Sequence, residues 1–195
     1  MKKIITISRE FGAGGGSIGQ AVAKEFGYEY YDKAIILQAA KEFGMDVERV
    51  VKWDEKVPFM FGFGQSLFEF YNKPLDEKLF AAQKQVIRRL GEKGGCVIVG
   101  RNANSILREF DNSLHVFIGA DPYWRMKRMK KEKMKDFSEQ KISEHLHAVD
   151  KMRRKYCSHY TDTEFGVAEY YDLCLRSSSI GEEACIRIIC DLAKN

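Results

Sequence analysis

The chain holds only three prolines and no long apolar run, and each shortage excludes a class of protein. Proline this scarce, beside 16 glycines in 195 residues, excludes collagen-like and proline-rich linker chains. No window approaches the ~18 consecutive apolar residues that a membrane helix needs. The apolar start Ile4-Ile5-Thr6-Ile7 meets Arg9 and Glu10, too soon for the core of a signal peptide. The five cysteines (96, 157, 174, 185 and 190) contain no CxxC pair, and their odd number argues against a disulfide framework. Reduced thiols in a cytoplasmic protein are expected, not a zinc site. Charge of one sign is also sparse. With 32 basic and 28 acidic residues the net charge is +4, too mild to announce nucleic acid or a membrane surface.

What is present is a globular composition, 45% hydrophobic and 31% charged, without repeats or low-complexity tracts and a little longer than one average domain. Short apolar runs at Ile4–Ile7, Tyr28–Tyr31, Cys96–Val99, Leu114–Ile118 and Tyr171–Leu175 read as strands. Helical spacings fall between them, over Ser17–Phe26, Ala34–Phe43, Leu75–Leu90, Pro122–Lys133, Ser138–Tyr156 and onward from Gly181. Gly94-Gly95 ends the Leu75 helix. Continuous apolar strands alternating with helices predict an α/β domain with a five-stranded parallel sheet covered on both faces. Right-handed crossovers make it doubly wound, and ligands of such sheets bind beyond the carboxyl ends of the strands. That rule points to the residues after Ile7, Tyr31, Val99 and Ile118.

After the first of these comes Ser8-Arg9-Glu10-Phe11-Gly12-Ala13-Gly14-Gly15-Gly16-Ser17-Ile18-Gly19. Glycines between a strand and a helix let backbone N–H groups turn inward around an anion, and the helix terminus adds partial positive charge. The phosphate-binding candidates are Gly12, Ala13, Gly14, Gly15, Gly16, Ser17 and Ile18. The Ser17 hydroxyl suits either a helix cap or a Mg²⁺ ligand. A dinucleotide fingerprint competes, with Asp32 as its acidic residue, but its third glycine falls at Ser17.

Ile4 to Gly19 resembles the phosphate loop of nucleoside monophosphate kinases, in particular the cytidylate kinase-like family. The resemblance continues through Tyr31-Asp32-Lys33, Val97 to Arg101, Phe117-Ile118, Asp150 to Arg154 and Tyr171-Asp172-Leu173. It implies a P-loop NTPase-type, three-layer domain over residues 1–195, with a helical acceptor segment near 44–95 and a lid near 121–157. It implies phosphoryl transfer from ATP, with Mg²⁺ held by Ser17, to a nucleoside monophosphate, CMP or dCMP. One departure stands out: the family's cytidylate kinases carry a lysine where this chain has Gly15. Arg9 or Lys33 is the candidate to supply that charge.

The resemblance also assigns the other positions. Arg101 would grip the acceptor phosphate, with Asn102 or Asn104 at the base. Asp150 and Arg153 would belong to the acceptor and lid contacts, and Arg125 and Arg128 would stabilise the transferred group. From the residues alone, Arg101 fits a bidentate phosphate contact or a surface salt bridge. Asp32 fits metal water, orientation of the attacking oxygen, or a helix cap. Catalytic candidates are therefore Arg9, Asp32, Arg125 and Arg128.

From Arg125 to Lys135 there are seven basic residues against Glu132, and four of the five residues Lys151 to Lys155 are basic. An arginine-rich lid, a solvated helix face and a nucleic-acid surface all fit such a cluster, the last least well because aromatic interleaving is slight. His145 and His147, two apart, read as surface histidines rather than a metal pair. Six aromatics lie between Phe59 and Tyr71, suited to packing, to covering a base or to a homo-oligomer contact. Three function classes follow: a kinase acting on small nucleotides, a nucleotide-binding regulatory protein that has lost transfer, and a nucleic-acid-binding protein.

Overall fold

A computed structural model describes residues 1–32, 34–42, 44 and 74–195. Lys33 and the aromatic segment 59–71 lie outside the described residues. Five parallel strands form one sheet in the order β2-β3-β1-β4-β5: β1 Ile4–Arg9, β2 Glu29–Tyr31, β3 Cys96–Val99, β4 Ser113–Gly119 and β5 Leu173–Arg176. The longer helices are α1 Gly15–Phe26, α2 Ala34–Glu42, α3 Pro74–Lys93, α5 Pro122–Glu132, α6 Glu139–Tyr160 and α8 Glu182–Lys194. Between them lie short α4 Ala103–Ile106 and α7 Ser177–Ile180, and a 3₁₀ turn at Ala168–Tyr170.

The alternation of side chains along each strand sorts the core into two layers. Ile5, Ile7, Val97, Val99, Leu114, Val116 and Ile118 pack under α1 and α8, against Ile18, Val22, Ile189 and Ala193. On the other face Ile4, Cys96 and Ile98 meet Val86, Ile87 and Leu90 of α3 and Ile106 of α4. Burying each such aliphatic side chain is worth about 1.5–3 kcal/mol, so the sheet is held from both sides. This is the expected three-layer architecture. Because β1 lies between β3 and β4, the chain reverses its direction of travel across the sheet there. A crevice therefore opens beyond the ends of β1, β3 and β4.

The second face is not wholly apolar. His115 on β4 is buried, with Thr6 Oγ1 2.8 Å from Nδ1 and Ser113 Oγ 2.9 Å from Nε2. Burial pushes its pKa below the ordinary 6.5; Asp172 opposes that shift and Lys2 adds to it. His145 is also shifted down by burial. It is half-buried with its ring edge-on to Phe11 at 5.1 Å, not the surface histidine that its spacing suggests. The unfolded chain takes up protons near pH 6.5 that the folded rings resist, so stability falls as pH drops through that value. Thermal melts between pH 7.5 and 5 should show this decline, with a shallower slope in His115→Asn. An unchanged slope in the variant would contradict the assignment.

α5 and α6 lie back to back, joined by 133–138, and close around Met126, Met129, Ile142 and Leu146. Phe11 of the glycine loop packs against this cluster, so the region expected as a lid touches the loop directly. Among the described residues, no helix is long and apolar enough to cross a membrane.

Candidate active site

The glycine loop runs from Arg9 at the end of β1 to the start of α1. Gly12 and Gly14 adopt φ of +80° and +88°, which other residues rarely do, and Gly14 caps α1 without any side-chain cap. The first-turn N–H groups of a helix have no intrahelical partners, so α1 presents them to an anion. Gly16 is open, since a Cβ there would meet only the Tyr30 hydroxyl, at 3.8 Å. The loop thus has the shape and polarity of a phosphate cradle.

Ser17 does not cap α1, because the helix begins two residues before it. Its hydroxyl instead lies 2.8 Å from the Gly14 carbonyl and 2.7 Å from Glu182 Oε2 at the start of α8. Arg128 of α5 completes this bridge. It pairs with Glu182 Oε1, with Glu132 at 3.0 Å and with the Ser17 hydroxyl at 3.4 Å. Mg²⁺ takes hard oxygen donors together with substrate phosphates and waters. The Ser17 hydroxyl is such a donor, while Glu182 is taken up by its ion pair with Arg128.

Asp150 of α6 braces the loop from the other side. It accepts from the Phe11 backbone N–H at 2.8 Å and from Arg125 Nη1 at 2.6 Å, with side chains only 3% and 5% exposed. Arg125 also donates to the Phe11 carbonyl at 3.0 Å and lies 3.7 Å from Glu10. Glu10 in turn accepts from the Ala120 N–H at 2.9 Å, and the Ser177 hydroxyl donates to the Ala13 carbonyl at 2.7 Å. Arg125 and Arg128, both expected to stabilise the transferred group, have different partners: one holds Asp150 inside, the other bridges to Glu182.

A third group faces the crevice. Arg9 lies 3.4 Å from Asp32 at the end of β2, and Arg153 donates to the Arg9 carbonyl at 2.6 Å. Arg101 approaches both arginines electrostatically. It follows β3 in a left-handed stretch, Gly100-Arg101-Asn102 at φ +77°, +62° and +55°. Such backbone costs about 1–3 kcal/mol at a non-glycine residue and tends to occur at functional sites. Asn102 and Asn104 are both buried, Asn102 donating to the Tyr156 carbonyl at 3.4 Å and Asn104 accepting from Ser8 at 3.3 Å. Burial lowers the pKa of Arg9, with Asp32 opposing the shift and Arg101 adding to it. Burial lowers that of Arg153 to about 9, with Arg9 and Arg101 adding to the shift and Asp150 and Asp32 opposing it. Guanidinium groups crowded in this way relax when an anion arrives.

Sequence reasoning does not single out Glu10, Phe11 or Glu182. A carboxylate inside an anion-binding loop signals that Glu10 must turn away to a cation. Glu182 reads as an ordinary first-turn acid of its own helix, and nothing in the sequence tells that it reaches α1.

Parallel sheet, strand order, glycine loop at the end of the central strand and facing arginines together define a P-loop kinase fold. Comparison with known proteins identifies the family: residues 4–179 match the cytidylate kinase-like family, and the chain belongs to it. No curated protein matches. Among solved structures, an uncharacterized protein from Eubacterium ventriosum is similar, at 23% identity and TM-score 0.77, over 100% of this chain and 99% of that one. The shikimate kinase from Bacteroides thetaiotaomicron is 12% identical at TM-score 0.58, over 100% of both chains. The Acinetobacter baumannii shikimate kinase in complex with shikimate is 12% identical at 0.54, over 98% and 93%. At these identities the likeness is one of fold.

Proposed function

We propose that the protein transfers the γ-phosphoryl group of ATP to the phosphate of a nucleoside monophosphate, CMP or dCMP. The observation that carries the reading is the convergence of Arg9, Arg101 and Arg153, with Asp32, on the crevice beside the glycine cradle. One side supplies N–H groups for a donor polyphosphate, the other guanidinium groups for an acceptor phosphate. An acceptor oxygen attacks the γ-phosphorus, and the bond to the β–γ bridging oxygen breaks. The electron pair stays on ADP, and no proton need move when the acceptor is a dianion. Such transfer is catalysed mainly by positioning and electrostatic stabilisation, for which this constellation is suited. Ser17 would hold Mg²⁺, which neutralises charge on the donor phosphates. Arg101 and Arg153 hold the acceptor phosphate, Asp32 orients Arg9, and Asp150 with Arg125 keeps the loop in shape.

ADP release from Mg-ATP with CMP, dCMP, UMP, AMP, GMP or no acceptor tests the reading. Release that depends on a cytidine acceptor supports it; release independent of every acceptor contradicts it.

A second reading, a nucleotide-binding regulatory protein without transfer, draws on the Glu182 carboxylate at Ser17, where it competes with a phosphate for the start of α1. Glu182→Gln removes that like charge, and ATP affinity measured by calorimetry should rise severalfold. Unchanged affinity would show that the bridge does not oppose the donor.

A further inference from the structure

In the phosphate-loop pattern G-x-x-x-x-G-K-[ST], the first glycine lets the backbone turn and the lysine reaches the β- and γ-phosphates. Aligning its second glycine with Gly14 puts the first glycine at position 9 and the lysine at position 15. The chain has Arg9 and Gly15 there, and Gly16 at the hydroxyl position, with Ser17 one residue later. The first two departures have one spatial cause. A Cβ at Gly15 would lie 2.6 Å from Arg9 Cβ, 2.8 Å from its Cγ and 3.5 Å from its Cδ. The Arg9 stem fills the volume where a side chain at position 15 would begin, so only one of the two positions can carry one. Beyond the stem, the guanidinium lies over Gly100, where even a Cβ would overlap Nη1.

We infer that the loop's glycine and cation have exchanged places, and that Arg9 is the catalytic cation of this P-loop, reaching the transferred phosphoryl from the strand end instead of the helix start. Its position supports the role, between the cradle and the acceptor-side residues Asp32 and Arg153. Its contact with Asp32, at 3.4 Å, is long beside the 2.7–2.9 Å of a well-formed charge-assisted bond, so the guanidinium retains bonding capacity for a phosphate oxygen. The planar fork can also span two oxygens at once, which an ammonium does less well. Arg153, bonded to the Arg9 carbonyl, fixes the backbone from which the side chain departs.

The kinetic part of this inference rests on the phosphoryl-transfer reading; the binding part does not. The test compares wild type with Arg9→Met, Arg9→Gly, Gly15→Lys and the double variant Arg9→Gly/Gly15→Lys. Affinity for a non-hydrolysable ATP analogue is measured by calorimetry, kcat for acceptor-dependent ADP formation is measured beside it, and thermal melts identify folded variants. Arg9→Met keeps the stem and removes the charge. It should lower kcat by about 10²–10³-fold, as loss of one transition-state donor does, and weaken the analogue. Gly15→Lys alone should be no better, because its stem meets Arg9. The double variant should recover at least about tenfold over Arg9→Gly in both quantities if each tenfold reflects one regained contact.

Wild-type affinity and turnover in Arg9→Met, or a double variant no better than Arg9→Gly, would overturn the exchange. If wild type transfers to no acceptor, the kinase reading fails and analogue affinity alone decides. Loss in Arg9→Met with recovery in the double variant then upholds the exchange, and equal affinities overturn it.

Discussion

Asp150→Asn is expected to lose about 3–5 kcal/mol of stability, because removing one partner of a buried ion pair leaves the other charge uncompensated. Arg125 would be that charge, its side chain 5% exposed and pinned at 2.6 Å. The amide could still accept from the Phe11 N–H, but its own N–H₂ would face guanidinium donors. The loop would lose its brace along with the ion pair, so turnover should fall even at temperatures where the variant stays folded. Urea denaturation and kcat measured on the same preparations check both parts. A loss below about 1 kcal/mol, within the range of an exposed pair, would contradict the bracing role.

Gly100→Ala should act on the chemistry instead. Its φ of +77° disfavours any side chain, at a cost of about 1–2 kcal/mol. The new methyl would also occupy the place of Arg9 Nη1. Gly95→Ala is the matched control, since its φ is +64° and its Cβ would meet nothing nearer than Tyr28 Cδ1 at 3.9 Å. Both variants should therefore pay a similar backbone cost, while only Gly100→Ala should lose kcat, by about 10²-fold if Arg9 is displaced from the transferring group. Equal turnover in the two would separate Arg9 from catalysis.

Much of the fold is legible in the sequence where burial is two-sided. Cys96–Val99 is a strand with the bounds that its apolar run and flanking glycines predict. Where one residue serves two neighbours the bounds drift. Tyr171 reads as strand, yet its ring packs on Phe117 at 5.2 Å, and β5 begins only at Leu173. α6 runs on past Tyr156 to Tyr160, where stacking of Tyr160 on Phe80 at 4.2 Å rewards another turn. α4 and α7, four residues each, are too short for a helical period to show.

The site divides in the same way. Its location follows from the strand ends and the glycines, so Arg9, Asp32, Arg101 and the loop are legible as a group. Its partnerships are not. That Arg125 faces Asp150 and Arg128 faces Glu182 depends on how helices distant in sequence pack together. The exchange of Arg9 with Gly15 is visible only once the stem of one is seen in the space of the other.

The central claim is that a phosphoryl group moves from ATP to a nucleoside monophosphate, and following the label tests it most directly. γ-labelled ATP with Mg²⁺ and CMP or dCMP, resolved by chromatography after incubation with the protein, should give label in CDP or dCDP. Label found only as inorganic phosphate, or remaining in ATP with every acceptor nucleotide tried, would contradict it.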